Sequence, residues 1–184
     1  IKDIQDDFLV FLEGDLNDIG GVNYIKGFAT DTFCIRINNM VEKKFSNTNR
    51  LSKDIKSVYQ LFNYYYPNIK LPDETYLYVS GIDYNTPSIM ILPNGVLIST
   101  DLYLENENNI YDYVGMPRYL SQRCHPSYIT RDLAEALYNT YIYKKQYQKD
   151  VLTDMINAGK KLYFIEALNP SLPDSIIMGY SSKQ

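Results

Sequence analysis

Residues 88–100 read Ser-Ile-Met-Ile-Leu-Pro-Asn-Gly-Val-Leu-Ile-Ser-Thr, and they carry the clearest local structural signal in the sequence. Aliphatic residues dominate Ser88 to Leu92 and Val96 to Thr100, a composition typical of β-strands. Between these segments, Pro93-Asn94-Gly95 supplies an Asn and a Gly, which tolerate the positive φ of a tight hairpin. A similar segment, Tyr76 to Ser80, precedes them. The sequence therefore predicts a three-stranded antiparallel meander.

Apolar residues before this meander repeat mainly at helical spacing. Ile1 to Leu12 is predicted to be a helix, and the pattern breaks at Gly20-Gly21. Phe28 to Val41 fits both the alternation of a strand and the repeat of a helix, and we interpret it as a helix. Ser52 is a residue type that caps helices, so the next helix is predicted to begin there and to end at Pro67.

The segment after the meander, Asp101 to His125, has little periodicity, which indicates a functional loop or a hidden short helix. Thr130 is predicted to cap the following helix, and residues after Pro170 look irregular. A further helix has an apolar stripe, on which Gly159 is predicted to make a close packing contact. The stripe consists of Leu152, Met155, Gly159, Leu162 and Glu166. The order of the predicted elements, helices followed by a small sheet and then by more helices, predicts an α+β fold. In this fold the meander packs against the helices.

Length and composition narrow the class of protein. The 184 residues are predicted to form a single domain, with a helical part over 1–50 and a core over 51–184. A net charge of −4 without a clustered basic surface argues against nucleic acid as a partner. No stretch approaches the roughly 20 apolar residues that cross a bilayer. The 19 Tyr residues suit glycan or protein surfaces, although we favour a role in the core and its boundary.

Few side chains are available for metal or nucleophilic chemistry. A zinc hydrolase needs two imidazoles one helical turn apart, but His125 is the single histidine and precedes Pro126. We therefore predict no cofactor and no bound zinc. Cys124 and His125 do not suggest a thiolate–imidazolium pair, because neighbouring side chains rarely point at each other. Cys34 and Cys124 are either a disulfide pair or two thiols, and we favour thiols.

Three acidic residues are candidates for general acid–base work. Asp132 and Glu135 share a helix face. Either the two carboxylates act together in acid–base chemistry, or Asp132 is stabilised by the helix dipole in the first turn and Glu135 is solvated. We favour the second reading. Glu166 falls on the apolar stripe of its helix. Either it is a boundary residue whose carboxylate reaches solvent, or it has a basic partner such as Arg118, Arg123 or Arg131.

Several runs together resemble one known family. They are Tyr66-Pro67-Asn68-Ile69, Leu71-Pro72, Tyr78-Val79-Ser80-Gly81, Asp101-Leu102-Tyr103-Leu104, Tyr119 to Tyr128, Leu152 to Ile156, Gly159-Lys160, Leu162-Tyr163-Phe164 and Gly179-Tyr180-Ser181. Their order over roughly Leu61 to Gln184 resembles the GldB family of Bacteroidetes, lipoproteins associated with gliding motility. The resemblance implies an exported, lipid-anchored domain of the cell envelope or periplasm. It also implies a helical segment beyond Gln184, where the chain is expected to be either trimmed or partly disordered.

The same resemblance implies a distant relation to zincin metallopeptidases. Arg131, Asp132 and Glu135 would stand in place of two metal ligands and a catalytic acid, and Ala158-Gly159 in place of a third ligand. A degenerate zincin-like arrangement is therefore expected, with Arg131 paired to Asp101 or Glu166 instead of a metal site. The candidate polar cluster comprises Asp101, Arg131, Asp132, Glu135 and Glu166.

The first functional hypothesis is a non-catalytic envelope lipoprotein that binds an envelope protein and assists motility or secretion. Its membrane attachment would be a lipid anchor. The first alternative is a carboxylate-dependent hydrolase of peptide or glycan. The second is a Tyr-rich carbohydrate-binding module, which requires exposed coplanar rings.

Overall fold

The computed structural model describes residues 19–105, 109–143 and 150–180. The predicted helix Ile1 to Leu12 lies outside the described residues. The α-helices of the described part are α1 (Ile19–Thr30), α2 (Thr32–Lys44), α3 (Asn49–Tyr65), α4 (Ile110–Tyr113), α5 (Arg118–Ser121), α6 (Ile129–Leu137), α7 (Val151–Leu168) and α8 (Asp174–Met178). The strands are β1 (Thr75–Tyr78), β2 (Ile89–Ile91) and β3 (Val96–Ser99). The predicted α+β class is confirmed.

The first three helices largely follow the apolar pattern. The predicted break at Gly20-Gly21 is wrong, because glycine lowers helix stability without forbidding a helix, and α1 runs through both residues. The helical interpretation of Phe28 to Val41 is confirmed by α1 and α2. Asp31 separates these two helices and caps α2, since its carboxylate accepts from the Phe33 and Cys34 amides at 2.8 and 2.9 Å.

The three strands form a mixed sheet in the order β1-β3-β2. β2 and β3 form the predicted antiparallel hairpin, whereas β1 runs parallel to β3. The predicted all-antiparallel meander is therefore wrong. The connection from β1 to β2 is long enough to skip a strand position, and it is fastened to Asp101 directly after β3. This leaves β3 in the middle, where all four of its residues are buried.

The segment between Asp101 and His125 contains short helices rather than an open loop. A 3₁₀ helix, Thr100–Tyr103, continues directly from β3, and α4 and α5 follow it. A second 3₁₀ helix, Pro126–Tyr128, leads into α6. Thr130 therefore lies in the first turn of α6, and its predicted role as the N-cap is wrong. His125 instead caps the 3₁₀ helix, because its ring accepts from the Ser127 amide at 3.1 Å.

Helix α6 is the central helix of the fold. It packs against β2, α3 and α7. Its residues Ile129, Leu133, Ala134 and Leu137 are fully buried, and a π-helical turn, Tyr138–Ile142, extends it. Because α6 contacts both the sheet and the helical layer, its polar face lies at the boundary between them.

Helix α7 buries a different stripe from the predicted one. Its buried residues are Phe164, Ile165 and Leu168, all in its C-terminal half. Leu152 and Met155 are each 67% exposed, and a Cβ built on Gly159 would have no neighbour within 4 Å. The predicted close packing at Gly159 is therefore wrong, because the N-terminal half of α7 extends past the core. None of the described helices is long and apolar enough to cross a membrane.

Candidate functional site

Helix α6 presents a cation and two carboxylates on one side. Arg131 is only 5% exposed, and its Nη1 donates to Asp132 Oδ1 at 3.0 Å and also to a Glu135 carboxylate oxygen. Its Nε donates to the carbonyl of Ile177 in α8 at 3.4 Å. The spacing of three residues places Asp132 and Glu135 on a shared face, as predicted. The predicted solvation of Glu135 is wrong, because it belongs to this partly buried network.

Asp132 also connects α6 to the sheet. Tyr103 Oη lies 2.9 Å from Asp132 Oδ2 and 2.8 Å from Ser88 Oγ. A phenol carries one proton, which goes to the carboxylate, so Tyr103 accepts a hydrogen bond from the Ser88 hydroxyl. Burial raises the pKa of Asp132, although Arg131 acts to lower it. Burial and the Asp132 charge raise the pKa of Tyr103 well above its ordinary value.

Glu135 connects α6 to α7. Lys161 Nζ donates to Glu135 Oε1 at 2.6 Å, while the other carboxylate oxygen faces Arg131. Burial acts to raise the pKa of Glu135, but Lys161 and Arg131 together bring it below its ordinary value. For Arg131, burial acts to lower the pKa, yet the Glu135 and Asp132 charges raise it overall. Arg131 and Glu135 are therefore both charged at neutral pH.

A cleft of about 320 Å³ opens beside this network, between the β2 side of the sheet and α6. Arg123 lies at its wall, with Nη2 3.8 Å from Asp132 Oδ1. The Nε of Arg123 is buried without a hydrogen-bond partner among the described residues. The lining residues are Tyr84, Thr86, Pro87, Ser88, Ile89, Leu102, Tyr103, Met116, Leu120, Arg123, Cys124, Arg131, Asp132, Glu135, Ala136 and Asn139.

Two members of the predicted polar cluster lie elsewhere. Asp101 is fully buried and accepts from the amides of Ser80 and Ile82 and from Ser99 Oγ at 2.6–3.1 Å. Glu166 is exposed, so its predicted inward position is wrong. The expected pairing of Arg131 with Asp101 or Glu166 is also wrong. The guanidinium pairs with carboxylates on its own helix, which lie one and four residues away.

The cysteine and histidine side chains are not arranged as a nucleophile and a base. Both cysteines are free thiols, as predicted. Burial raises the pKa of Cys124 to about 12, so its sulfur is protonated at neutral pH. His125 is engaged by Ser127 Oγ at 2.8 Å and by Glu105 Oε1 at 3.1 Å. Within the described ranges, no three His, Cys, Asp or Glu side chains are grouped to hold a metal ion.

Sequence analysis missed three partners of this network. Tyr103 and Lys161 lie 29 and 26 residues from the carboxylates that they contact, and no local spacing connects them. Arg123 was one of three candidate partners predicted for Glu166, but it lies beside Asp132. The position of Tyr103 within a run of apolar residues directly after β3 indicated burial, although not its partner.

The fold and the site define an α+β domain with a network of three cations and two carboxylates beside a cleft. The family model for gliding motility protein GldB matches residues 2–184. The chain therefore belongs to the GldB family of lipoproteins. The match includes the N-terminal third, which lies outside the runs that carried the resemblance. Neither the curated proteins nor the solved structures gave a match.

Proposed function

We propose that this chain is a non-catalytic binding domain of a cell-envelope lipoprotein, with an accessory role in gliding motility or secretion. In this proposal the domain is exported to the periplasmic side of a Bacteroidetes envelope and lipid-anchored. The observation that carries the proposal is Arg131, which bonds to both carboxylates on the cleft side of α6. A general base needs a carboxylate that is free to accept a substrate proton, and these two already accept from cations.

The remaining polar groups of the cleft support binding rather than turnover. The pKa of Cys124 is raised by burial to about 12, and the pKa of Tyr103 is raised well above its ordinary value. Both groups are therefore protonated at neutral pH and are poor nucleophiles. Protonated hydroxyls and fixed cations suit recognition of a partner. In this proposal α6 is the counterpart of a metallopeptidase helix, with an ion-pair network in place of a metal. Elemental analysis of dialysed protein is expected to find no stoichiometric zinc.

One observation favours a carboxylate-dependent hydrolase as the second candidate. Asp132 lines the cleft, and burial raises its pKa, as in a general acid. A carbohydrate-binding module receives less support. The exposed rings of Tyr64 and Tyr65 lie at 77° to each other, so this pair does not form a coplanar platform for a sugar.

The test compares turnover by three proteins. Purified wild type, Asp132→Asn and Asp154→Asn are incubated with a peptide library and with cell-wall glycan fragments, and products are measured by mass spectrometry. Asp154 is an exposed acid on α7 and serves as the matched control. We expect no cleavage above background by any of the three. Cleavage by wild type and Asp154→Asn that is lost in Asp132→Asn would establish the hydrolase and overturn the proposal.

A further inference from the structure

We propose that two copies of this chain associate as an antiparallel, two-fold symmetric dimer through the outer face of helix α7, with Gly159 at the crossing point. The outer face is the side of α7 that points away from the core. Such a dimer goes beyond the proposed binding function, because its surface is separate from the cleft. The outer face consists of Leu152, Met155, Ile156, Gly159 and Tyr163.

The outer face exposes large apolar side chains to water. Leu152 and Met155 are each 67% exposed, Ile156 is 48% exposed and Tyr163 is 74% exposed. Spacings of three and four residues place them on one side of the helix, and the buried residues of α7 lie on the opposite side. Between Leu152 and Tyr163 this face carries no charged residue. A contiguous apolar surface of this kind is typical of an interaction site.

The apolar surface continues beyond α7. Tyr65 and Tyr143 are 52% and 47% exposed, and they line a pocket together with Tyr163. With the outer face they make six apolar or aromatic side chains, which together present roughly 600 Å² per protomer at about 100 Å² each. A standard interface buries about 800 Å² per partner, and transient interfaces bury less. The available area therefore fits a weak, reversible dimer.

The order of residues along α7 makes the outer face complementary to itself. In an antiparallel two-fold pair centred on Gly159, a residue before Gly159 meets the residue at the same distance after it on the other copy. Met155 and Tyr163 lie four residues on either side of Gly159. Each methionine sulfur would therefore meet an aromatic ring, which is a favourable contact. Ile156 and Leu162 lie three residues on either side and would pair in the same way.

Gly159 permits close approach of the two helices at the crossing point. It has no side chain, and a Cβ built there would have no neighbour within 4 Å. The antiparallel direction also separates like charges. A parallel pair would place Glu166 beside a second Glu166, whereas the antiparallel pair places the methylene stem of Glu166 beside Leu152 and leaves its carboxylate in water.

Pairing through the outer face leaves the cleft open. Lys161, which contacts Glu135 beside the cleft, points to the side of α7 opposite Gly159. The dimer would therefore present two clefts. Two linked sites bind a partner with repeated epitopes more tightly than one site does. Copies tethered to one membrane also meet at a raised effective concentration, so a weak affinity is sufficient there.

Sedimentation equilibrium of the whole chain tests the association. We expect a monomer–dimer equilibrium with a dissociation constant of about 10–100 μM. At the low micromolar concentrations of thermal denaturation the chain is then mostly monomeric. Ile156→Glu should weaken the dimer at least tenfold, because the interface would bury a carboxylate. Ile35→Glu is the matched control, since Ile35 lies on α2 and is 47% exposed, and it should associate as wild type does.

Cysteine pairs test the antiparallel arrangement. Met155→Cys and Tyr163→Cys proteins are mixed, oxidised with diamide and analysed by peptide mass spectrometry. We expect a disulfide between positions 155 and 163 of different copies, and no disulfide when either variant is oxidised alone. Wild type, which retains its own two cysteines, gives the background. Asp154→Cys mixed with Tyr163→Cys is the control, because Asp154 is exposed on another side of α7.

A chain that stays monomeric at about 1 mM would overturn the inference, because even a weak dimer forms at that concentration. Equal association of Ile156→Glu and Ile35→Glu would also overturn it, since the dimer would then use another surface. Self-linkage of Met155→Cys without linkage to Tyr163→Cys would exclude the antiparallel pair. The cysteine variants change only exposed positions, so a folding failure of Ile156→Glu does not affect the outcome.

Discussion

Asp101 illustrates how one buried carboxylate fixes a connection between strands. It accepts hydrogen bonds from the amides of Ser80 and Ile82, on either side of Gly81, which has a φ of 80°. Ile82 has a φ of 62°, a conformation that is costly for a β-branched residue. The Asp101 carboxylate compensates for that cost, because it accepts hydrogen bonds from backbone amides that the turn buries and directs inward.

The change Asp101→Asn tests this role. An amide offers one acceptor oxygen and places an N–H₂ group against backbone donors, so at least one buried N–H loses its partner. We expect a loss of about 3 kcal/mol in the free energy of unfolding, measured by urea denaturation. Asp54→Asn, at an exposed acid on α3, is the control and should change stability little. Equal stability of the two variants would show that Asp101 does not hold the connection.

Glu135 gives a prediction of pH dependence. Its pKa is lowered in the folded protein, so its contribution to stability is present above its unfolded pKa of about 4.3 and is lost as pH falls through the folded value. We expect Glu135→Gln to cost about 1–2 kcal/mol at pH 7, with the difference from wild type shrinking below about pH 4. Asp132→Asn provides the comparison. Because the folded pKa of Asp132 is raised, its contribution is lost as pH rises, which is the opposite trend. Parallel stability curves for the two variants would contradict both assignments.

At the scale of elements, local signals were sufficient for the hairpin but not for the whole sheet. Pro93-Asn94-Gly95 specifies the β2–β3 hairpin within thirteen residues, 88–100, so the sequence predicts it. The parallel pairing of β1 depends on Asp101 fastening a distant loop, a contact that no local pattern encodes. The shared face of Asp132 and Glu135 was likewise predictable from helical geometry, whereas their contacts with Tyr103 and Lys161 were not.

Helix α7 also shows that a local pattern does not predict tertiary contacts. A helical repeat of apolar residues does not indicate which turns of the helix reach the core. Leu152 and Met155 belong to the predicted apolar stripe but are exposed, whereas Ile165 and Leu168 are buried. We therefore expect the double change Leu152→Gln and Met155→Gln to shift Tm by less than about 2 °C, since exposed substitutions usually change stability by under 0.5 kcal/mol.

A control for that experiment lies on the same helix. Ile165→Ala removes a fully buried side chain and should cost about 2–5 kcal/mol. Both proteins are compared by thermal denaturation followed by circular dichroism. A large loss of Tm in the Leu152 and Met155 double variant would mean that the N-terminal half of α7 contributes to the core after all.

Across the whole molecule, the Arg131 network joins separate layers of the fold. Asp132 reaches the sheet side through Tyr103, Glu135 reaches α7 through Lys161, and Arg131 itself reaches the Ile177 carbonyl in α8. A network of charged groups that bonds to several elements holds those elements in one relative arrangement. The cleft wall is therefore fixed before any partner binds, which lowers the cost of ordering it on binding.

Stability is expected to be unevenly distributed, with its maximum at β3. This strand is paired on both sides, and Val96, Leu97 and Ile98 are at most 2% exposed. Helix α1 is the opposite case, because Gly21 is its buried residue while Ile19 and Tyr24 are mostly exposed. Amides open with free energies that follow such local packing. We therefore expect hydrogen–deuterium exchange followed by mass spectrometry to show α1 exchanging first and β3 last, near the free energy of global unfolding. Exchange of α1 as slowly as β3 would show that packing in the described part of the chain does not set the order of local unfolding.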